Sequence, residues 1–293
     1  SPPPGTSGSP RQAKAGPNSV QLEPPPEPYR PLALELFCGH AGLAFACCQV
    51  GFEAKGIDWQ GNRHKPTITI LRIDITTPEG QKEVWNLLES GIVKCVHAGP
   101  PCCTFTRALE KRVPLWLRKL GAPDFKPLCK NLCPTGIPNL KCVAKIKVQK
   151  ANQLADFTAE VVQWCLDNKD QGAVFSVENP ENSILWRLAK FKESLARGDT
   201  EKVSFHVCMS GGKRPKSTSL LASKDCFFCM NVTCDNSREH LPWGVHWKSG
   251  WEFATAEEWE YPRKMCQSIA RCAANACKVR QPGSLATPSP RTS

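Results

Sequence analysis

The sequence is organised around Gly91-Ile92-Val93-Lys94-Cys95-Val96-His97-Ala98-Gly99-Pro100-Pro101-Cys102-Cys103. The mainly apolar run over 91–98 predicts a buried β-strand, and the Gly-Pro-Pro turn after it can continue neither a strand nor a helix. Because two prolines fix the backbone, the thiol of Cys102 would be presented from a stiff loop at the carboxyl end of a strand. This position suits a nucleophile, although Cys102 and Cys103 could instead be small buried hydrophobic residues.

The first predicted strand leads into a turn that could hold a ligand. Residues 32–37 are mostly apolar, and the turn after them contains Gly39 and Gly42 before a small-residue helix begins at Leu43. Glycine lets a backbone approach a ligand, and the amino end of a helix offers free N–H groups. The two glycines lack the full spacing of a dinucleotide-binding fingerprint, so an ordinary turn is the alternative interpretation.

Acidic residues stand at the ends of three other predicted strands. The second and third strands end at Asp58 and Asp74, and a later strand ends at Glu178. Asp58 lies about twenty residues beyond the first turn, where a Rossmann-like unit places the acid that binds a ribose. Glu178 is a candidate general acid, but it could instead cap the helix after Pro180. Because strands and helices alternate, the sequence predicts an α/β fold whose mainly parallel sheet is covered on both faces.

The charge of the chain is concentrated in one segment. The formal net charge is +11, and residues 107–150 hold eleven lysines and arginines against only Glu110 and Asp124. This segment is rich in Pro and Gly, which predicts a long basic loop or insertion that binds a polyanion; a solvated charged face is the alternative. The basic candidates for nucleic-acid contact, within this segment and in a later turn, are Arg107, Lys111, Arg112, Arg118, Lys119, Lys213 and Lys216.

The 17 cysteines are not arranged as in a secreted disulfide scaffold. The sequence has neither a secretory h-region nor a run long enough to cross a bilayer, so we expect reduced thiols and an intracellular protein, nuclear in a eukaryote. Residues 1–30 form a Pro-rich leader and residues 281–293 a similar tail, both expected to be disordered. The chain begins at Ser1 rather than Met, and we expect it to be cut from a longer polypeptide.

A short Cys-, His- and Trp-rich segment, residues 223–252, precedes the last predicted helix. It is poor in regular periodicity and is expected to form a small, irregular second subdomain. Structural zinc sites in proteins have four ligands, most often cysteine and histidine side chains. The candidate zinc ligands in this segment are Cys226, Cys229, Cys234 and His240, although their spacing matches no strong finger pattern.

Together these motifs resemble the DNA cytosine-5 methyltransferase family over residues 32–277. Residues 35–44 are similar to the family's first motif, which cradles S-adenosylmethionine, and residues 99–102 match its nucleophile motif. Glu178-Asn179 matches the proton-handling motif, while Arg214 with Lys216 is a looser match to an Arg-rich motif that contacts the target base. The resemblance implies a Rossmann-like, S-adenosylmethionine-dependent methyltransferase sheet. Its catalytic domain would comprise residues 31–222 and 253–280, with 223–252 as a short target-recognition region.

The resemblance also implies roles for individual residues. Cys102 would attack C6 of a cytosine flipped out of DNA, Glu178 would act at N3 and Arg214 would hold O2. The implied cofactor contacts are Phe37, Gly39, Gly42, Leu43, Asp58, Trp59, Asp74, Ile75 and Pro100. RNA is the alternative polymer. No feature of the sequence indicates an oligomeric state.

Four residues depart from the family pattern. Ala41 and Gly212 replace a glycine and a glutamine, Cys103 replaces the glutamine after the nucleophile, and Pro180 replaces an apolar residue. These changes keep open a second hypothesis, in which a catalytically degenerate methylase fold serves as a nucleic-acid-binding module. A nicotinamide dehydrogenase is disfavoured because the first turn lacks the GxGxxG pattern.

Overall fold

The structure, a computed structural model, describes residues 30–247 and 250–279, except for the side chains of Thr255 and Ala256. The predicted tail and residues 1–29 of the predicted leader therefore lie outside the described residues.

Seven strands form one sheet in the order β3-β2-β1-β4-β5-β7-β6. They are β1 (Leu32–Leu36), β2 (Glu53–Asp58), β3 (Ile70–Arg72), β4 (Val93–Ala98), β5 (Val174–Pro180), β6 (Thr200–His206) and β7 (Ser217–Ser223). The first five are parallel, and β7 runs antiparallel to both of its neighbours. The strand order reverses between β1 and β4, and ligands of such sheets bind outside the carboxyl ends of the strands at this point.

Helices cover both faces of the sheet. The α-helices of the described residues are α1 (Gly42–Gln49), α2 (Pro78–Leu88), α3 (Leu115–Lys119), α4 (Cys142–Asp167), α5 (Ala189–Ala196) and α6 (Arg263–Ala276), and all of them except α3 pack on the sheet. Leu32, Leu34 and Leu36 point to the face packed by α2, α4 and α5, whereas Ala33 points to the face packed by α1 and α6. This alternation is the period-2 pattern of a strand buried on both faces. The predicted α/β fold with a mainly parallel, doubly covered sheet is confirmed.

The turn between β3 and α2 is held by a helix cap. The Thr77 hydroxyl accepts a hydrogen bond from the Gly80 N–H at 3.0 Å, and Pro78 occupies the first helical position. A side chain at Gly80 would place its Cβ 2.1 Å from the carbonyl oxygen of Asp74. The helix can therefore pack closely against the turn that carries Asp74.

Helix α4 begins earlier than the sequence predicts. It starts at Cys142, whereas the predicted basic loop extends to Lys150. Val143 and Ile146 are exposed and Val148 is the first buried residue, so no buried stripe marks the start of the helix. Within the described ranges no helix is both long and apolar enough to span a bilayer.

The segment 223–252 packs against both the core and the basic segment. Phe227 and Met230 are buried in the cluster that contains α6, and a disulfide joins Cys229 to Cys272. Strands β8 (Val245–Trp247) and β9 (Trp251–Phe253) form a small antiparallel sheet. Its Val245 and Trp251 pack on a cluster in the basic segment formed by Val113, Leu117 and Ala122. The two irregular parts of the sequence therefore contact each other.

Candidate active site

The Gly-Pro-Pro-Cys loop is held by contacts from three directions. The Asn179 amide donates to the carbonyl oxygen of Pro100 at 3.0 Å, and the Gly99 N–H donates to the carbonyl of Leu36 at 3.3 Å. A Cβ built on Gly99 would lie 2.5 Å from the hydroxyl oxygen of Tyr261, so only glycine fits there. The loop that presents Cys102 is thus fixed by β1, by β5 and by the segment before α6.

Glu178 presents a buried carboxylate beside this loop. The residue is 7% exposed, and its Oε2 accepts a hydrogen bond from the Tyr261 hydroxyl at 3.2 Å. The other oxygen, Oε1, is buried and accepts no hydrogen bond from the described residues, although the Lys216 ammonium lies 3.9 Å away. Because buried polar atoms are nearly always paired, Oε1 is available to a group from outside the chain.

The thiol of Cys102 is controlled by burial and two opposing charges. Burial raises the pKa of Cys102 to about 11; the positive charge of Lys216 lowers that pKa, and the negative charge of Glu178 raises it further. Only a small fraction of the thiol is therefore ionised at neutral pH. Since the thiolate is the nucleophile, the reactivity of Cys102 depends directly on both neighbours.

A row of buried polar groups leads to Glu178 from inside the sheet. Neighbouring strands align Glu35 with His97 and His97 with Ser176. His97 Nδ1 lies 2.8 Å from the Ser176 hydroxyl, and its Nε2 lies 3.2 Å from the Tyr261 hydroxyl. Since the Tyr261 hydroxyl donates its hydrogen bond to Glu178, the neutral His97 must donate a hydrogen bond to Tyr261 through Nε2. His97 Nδ1 must then accept one from Ser176. The chain of donors therefore points towards Glu178.

Burial keeps Glu35 and His97 mainly uncharged at neutral pH. It lowers the pKa of His97 to about 3 and raises the pKa of Glu35 to about 8. Glu35 also accepts the Ala44 N–H at 2.7 Å, which ties the beginning of α1 to β1. The carboxylate of Glu178 is therefore oriented by neutral partners rather than by a charged imidazole.

Arg214 is engaged away from the nucleophile. Its guanidinium contacts Glu258 Oε1 at 3.1 Å, Glu257 Oε2 at 2.9 Å and the carbonyl of Pro242 at 3.0 Å. The side chain is almost fully buried. The cation beside Glu178 is instead Lys216, which the sequence assigns to nucleic-acid contact. The role at O2 predicted for Arg214 stays a prediction.

The first turn of the candidate cofactor site has an unusual backbone. Phe37, Gly39 and Ala41 all have positive φ angles of 50–59°. Such conformations are costly for residues other than glycine, and they occur often at functional sites. Asp58 Oδ2 braces the turn by accepting the Gly39 N–H at 2.7 Å. The predicted contacts Gly39 and Asp58 are thus brought together.

The hydrogen-bond acceptors at these strand ends fit the ribose and adenine of S-adenosylmethionine. Asp58 accepts three hydrogen bonds, from Gly39, Trp59 and Asn62. A carboxylate can accept about four, which leaves room for a ribose hydroxyl. Asp74 Oδ1 accepts hydrogen bonds from the N–H and the hydroxyl of Thr76. Its Oδ2 accepts no hydrogen bond from the described part of the chain and could accept one from an adenine amine. The indole of Trp59 is more than half exposed beside Asp58 and could stack on the base.

The basic candidates lie mainly at the surface. Those that are exposed are Arg107, Lys111, Arg112, Arg118, Lys119 and Lys213, whereas Lys216 is only partly exposed. The short helix α3 adds a residue that the sequence analysis missed, since Trp116 is 63% exposed just before Arg118 and Lys119. An exposed indole between cations is a typical stacking platform for nucleic-acid bases, and this local pattern could have identified it.

The predicted zinc ligands are not assembled as one group. Cys229 is bonded to Cys272, and Cys226 lies outside the cluster of potential ligands, so the set of four is wrong. Cys234 and His240 do come together, with Sγ and Nε2 3.6 Å apart. Cys208, two residues after the end of β6, joins them. The sequence could not indicate Cys208 because it lies 26 residues before Cys234 in a different element.

Three solved structures similar to this chain are of methyltransferases. S. pombe Dnmt2 methyltransferase gives a TM-score of 0.39 at 15% identity, over 71% of this chain and 58% of that chain. Entamoeba histolytica methyltransferase EhMeth gives 0.38 at 11%, over 72% and 56%. A mutant of Spodoptera frugiperda DNMT2 gives 0.31 at 19%, over 71% and 53%. This chain therefore spans less than two thirds of each, and neither a protein-family model nor a curated protein matches its sequence.

Proposed function

We propose that this chain is an S-adenosylmethionine-dependent methyltransferase that acts on C5 of cytosine in DNA. The observation that carries the proposal is the grouping of Cys102, Glu178 and Lys216. A thiol, a buried carboxylate with an open oxygen and an ammonium group meet at the carboxyl ends of β4 and β5 and the start of β7. Cytosine offers each of them a partner, since its C6 is electrophilic, its N3 takes a proton and its O2 accepts hydrogen bonds.

The cofactor would lie at the neighbouring strand ends. Asp58 would hold the ribose, Asp74 the adenine amine, and Trp59 one face of the base. When bound, S-adenosylmethionine supplies an electrophilic methyl group. Phe37, Gly39, Gly42 and Leu43 would shape the first turn around it.

Cys102 makes C5 of cytosine reactive by adding to the neighbouring ring carbon, C6. The Cys102 thiolate forms a bond to C6, and the electron pair of the C5–C6 double bond moves into the ring towards N3 and O2. Glu178 takes up a proton on Oε1 and then donates a hydrogen bond or that proton to N3, and Lys216 stabilises the charge at O2. After C5 takes up the methyl group, water acts as the base that removes the C5 proton, and the S–C6 bond breaks to release the thiolate. N3 returns its proton to Glu178, and the ring is restored.

The surface around the loop suits a flipped-out base. A cytosine within a duplex does not expose C6 to a side chain, so the base must leave the stack at a cost of a few kcal/mol. Contacts between the exposed basic residues and phosphates would offset part of this cost. Trp116 on α3 lies among these cations and would stack on a neighbouring base.

Labelled methyl transfer tests the proposal on both polymers. We expect the chain to transfer methyl groups from S-adenosylmethionine to cytosine-containing DNA, with 5-methylcytosine as the product by mass spectrometry. The matched control is DNA of the same length without cytosine, which should take up no label. Transfer to RNA alone would replace DNA as the substrate. A folded chain that binds S-adenosylmethionine but methylates neither polymer would contradict the proposal and support a binding module.

A further inference from the structure

We propose that Cys208, Cys234 and His240 form a binding site for a zinc ion, separate from the candidate active site. The three side chains offer two sulfur atoms and one ring nitrogen, and these ligand atoms all lie within 4.8 Å of one another. This proposal does not depend on the proposed methyltransferase activity.

The spacing of the ligand atoms matches zinc coordination. Zinc binds sulfur at about 2.3 Å and nitrogen at about 2.0 Å with tetrahedral angles, which places neighbouring sulfur and nitrogen ligands about 3.5 Å apart. The distance between Cys234 Sγ and His240 Nε2 is 3.6 Å. The two groups are therefore already as close as a shared zinc ion requires.

The loop between Cys234 and His240 is folded so that both side chains face the same point. Asn236 adopts a positive φ of 56°, which reverses the chain, and its N–H donates to Cys234 Sγ at 3.4 Å. Asp235 accepts hydrogen bonds from the N–H and hydroxyl of Ser237, which closes the same turn. An N–H directed at a ligating sulfur stabilises the thiolate form that binds a metal.

Further hydrogen bonds attach this loop to the end of β6 and to Cys208, two residues beyond that strand. The Cys234 N–H donates to His206 Nδ1 at 2.9 Å, and Arg238 donates to the carbonyl of Cys208 at 2.9 Å. Cys208 itself is fully buried. Cys234 and Cys208 are therefore held by hydrogen bonds that do not involve a metal, and little reorganisation of these two ligands is needed on binding.

The chemistry of the ligands selects the ion. Two thiolates and an imidazole favour zinc and other soft or borderline cations, whereas magnesium and calcium require oxygen ligands. Among the described residues no fourth Cys, His or carboxylate completes the group. Water or an added ligand would take the fourth position, as at sites with three protein ligands.

The site would brace the turn that leads to Lys216. The residue after His240, Leu241, donates its N–H to the carbonyl of Lys213 at 3.0 Å, and the carbonyl of Pro242 accepts from Arg214. A metal that fixes His240 therefore also fixes the next two residues, which hydrogen-bond to the turn that carries Lys213 and Arg214. This arrangement would give the irregular segment 223–252 an anchor in addition to its disulfide and its apolar contacts with α6.

Cobalt substitution of the full 293-residue chain tests the proposal. In a phosphine reductant we expect Co²⁺ to bind at one ion per chain, with a thiolate-to-cobalt charge-transfer band and the visible bands of four-coordinate cobalt. Zn²⁺ should displace it. Cys234→Ser and His240→Gln should each weaken the affinity about tenfold or more, because each removes a ligand.

The matched control is Cys226→Ser, which removes a cysteine outside the cluster and should leave the spectrum and affinity unchanged. His240→Gln changes a partly exposed side chain, so it keeps the test valid if a cysteine variant fails to fold. The proposal is overturned if the folded wild-type chain shows no charge-transfer band. It is also overturned if the band persists in both ligand variants or disappears in Cys226→Ser.

Discussion

Glu178→Gln is expected to reduce methyl transfer by about 10²- to 10⁴-fold, the usual contribution of a positioned acid or base. The same change should accelerate alkylation of Cys102 by iodoacetamide. The reason is electrostatic, since the negative charge of Glu178 raises the pKa of Cys102 and glutamine removes that charge. A larger thiolate fraction then reacts at any fixed pH below the thiol pKa. One substitution thus changes the two rates in opposite directions.

Site-resolved mass spectrometry of alkylated Cys102, followed across pH, measures the second effect. In the wild type the rate should rise about tenfold per pH unit from pH 7 towards the pKa of about 11. In Glu178→Gln the profile should shift to lower pH. Glu193→Gln, on the exposed surface of α5, is the control for a lost carboxylate and should change neither rate. Parallel loss of alkylation and methyl transfer in Glu178→Gln would indicate local misfolding instead.

Lys216→Met is expected to slow both reactions. The ammonium of Lys216 lowers the pKa of Cys102, so its removal leaves less thiolate and shifts the alkylation profile to higher pH. It also removes the cation proposed to stabilise charge at O2, and loss of such a group costs about 10²- to 10³-fold in methyl transfer. Lys216→Arg should restore part of both rates because it keeps the charge.

Lys224→Met provides the control. Lys224 is exposed and directly follows β7, whereas Lys216 directly precedes that strand. It should leave alkylation and methyl transfer unchanged. An unchanged alkylation profile in Lys216→Met would show that this lysine does not act on the thiol. If Arg214 were to replace Lys216 as the cation in this variant, its guanidinium would have to leave Glu257 and Glu258.

The strand-end residues could be predicted from the sequence because parallel strands bring their carboxyl ends to one edge of a sheet. Asp58, Asp74, Cys102 and Glu178 each follow an apolar run, and the structure places each within four residues of the carboxyl end of its strand, β2, β3, β4 or β5. This inference needs only local patterns and one rule about parallel sheets. The α/β architecture followed from the same alternation of elements.

The position of Lys216 could not be predicted in this way. Strand β7 enters the sheet between β5 and β6 in the opposite direction, so Pro180 pairs with Thr218 and the start of β7 lies beside the end of β5. That pairing is not evident from the order of the chain. The engagement of Arg214 by Glu258 likewise joins residues 44 positions apart through a loop without periodicity.

The most direct test of the central claim is the covalent adduct between Cys102 and C6 of cytosine. Fluorine at C5 cannot leave as the proton does, so 5-fluorocytosine in an oligonucleotide should trap the chain after methyl transfer. We expect a denaturation-resistant adduct in the presence of S-adenosylmethionine, mapped to Cys102 by mass spectrometry, present in Cys103→Ser and absent in Cys102→Ser. An adduct at Cys103, or none on DNA or RNA from a chain that binds the cofactor, would contradict the account.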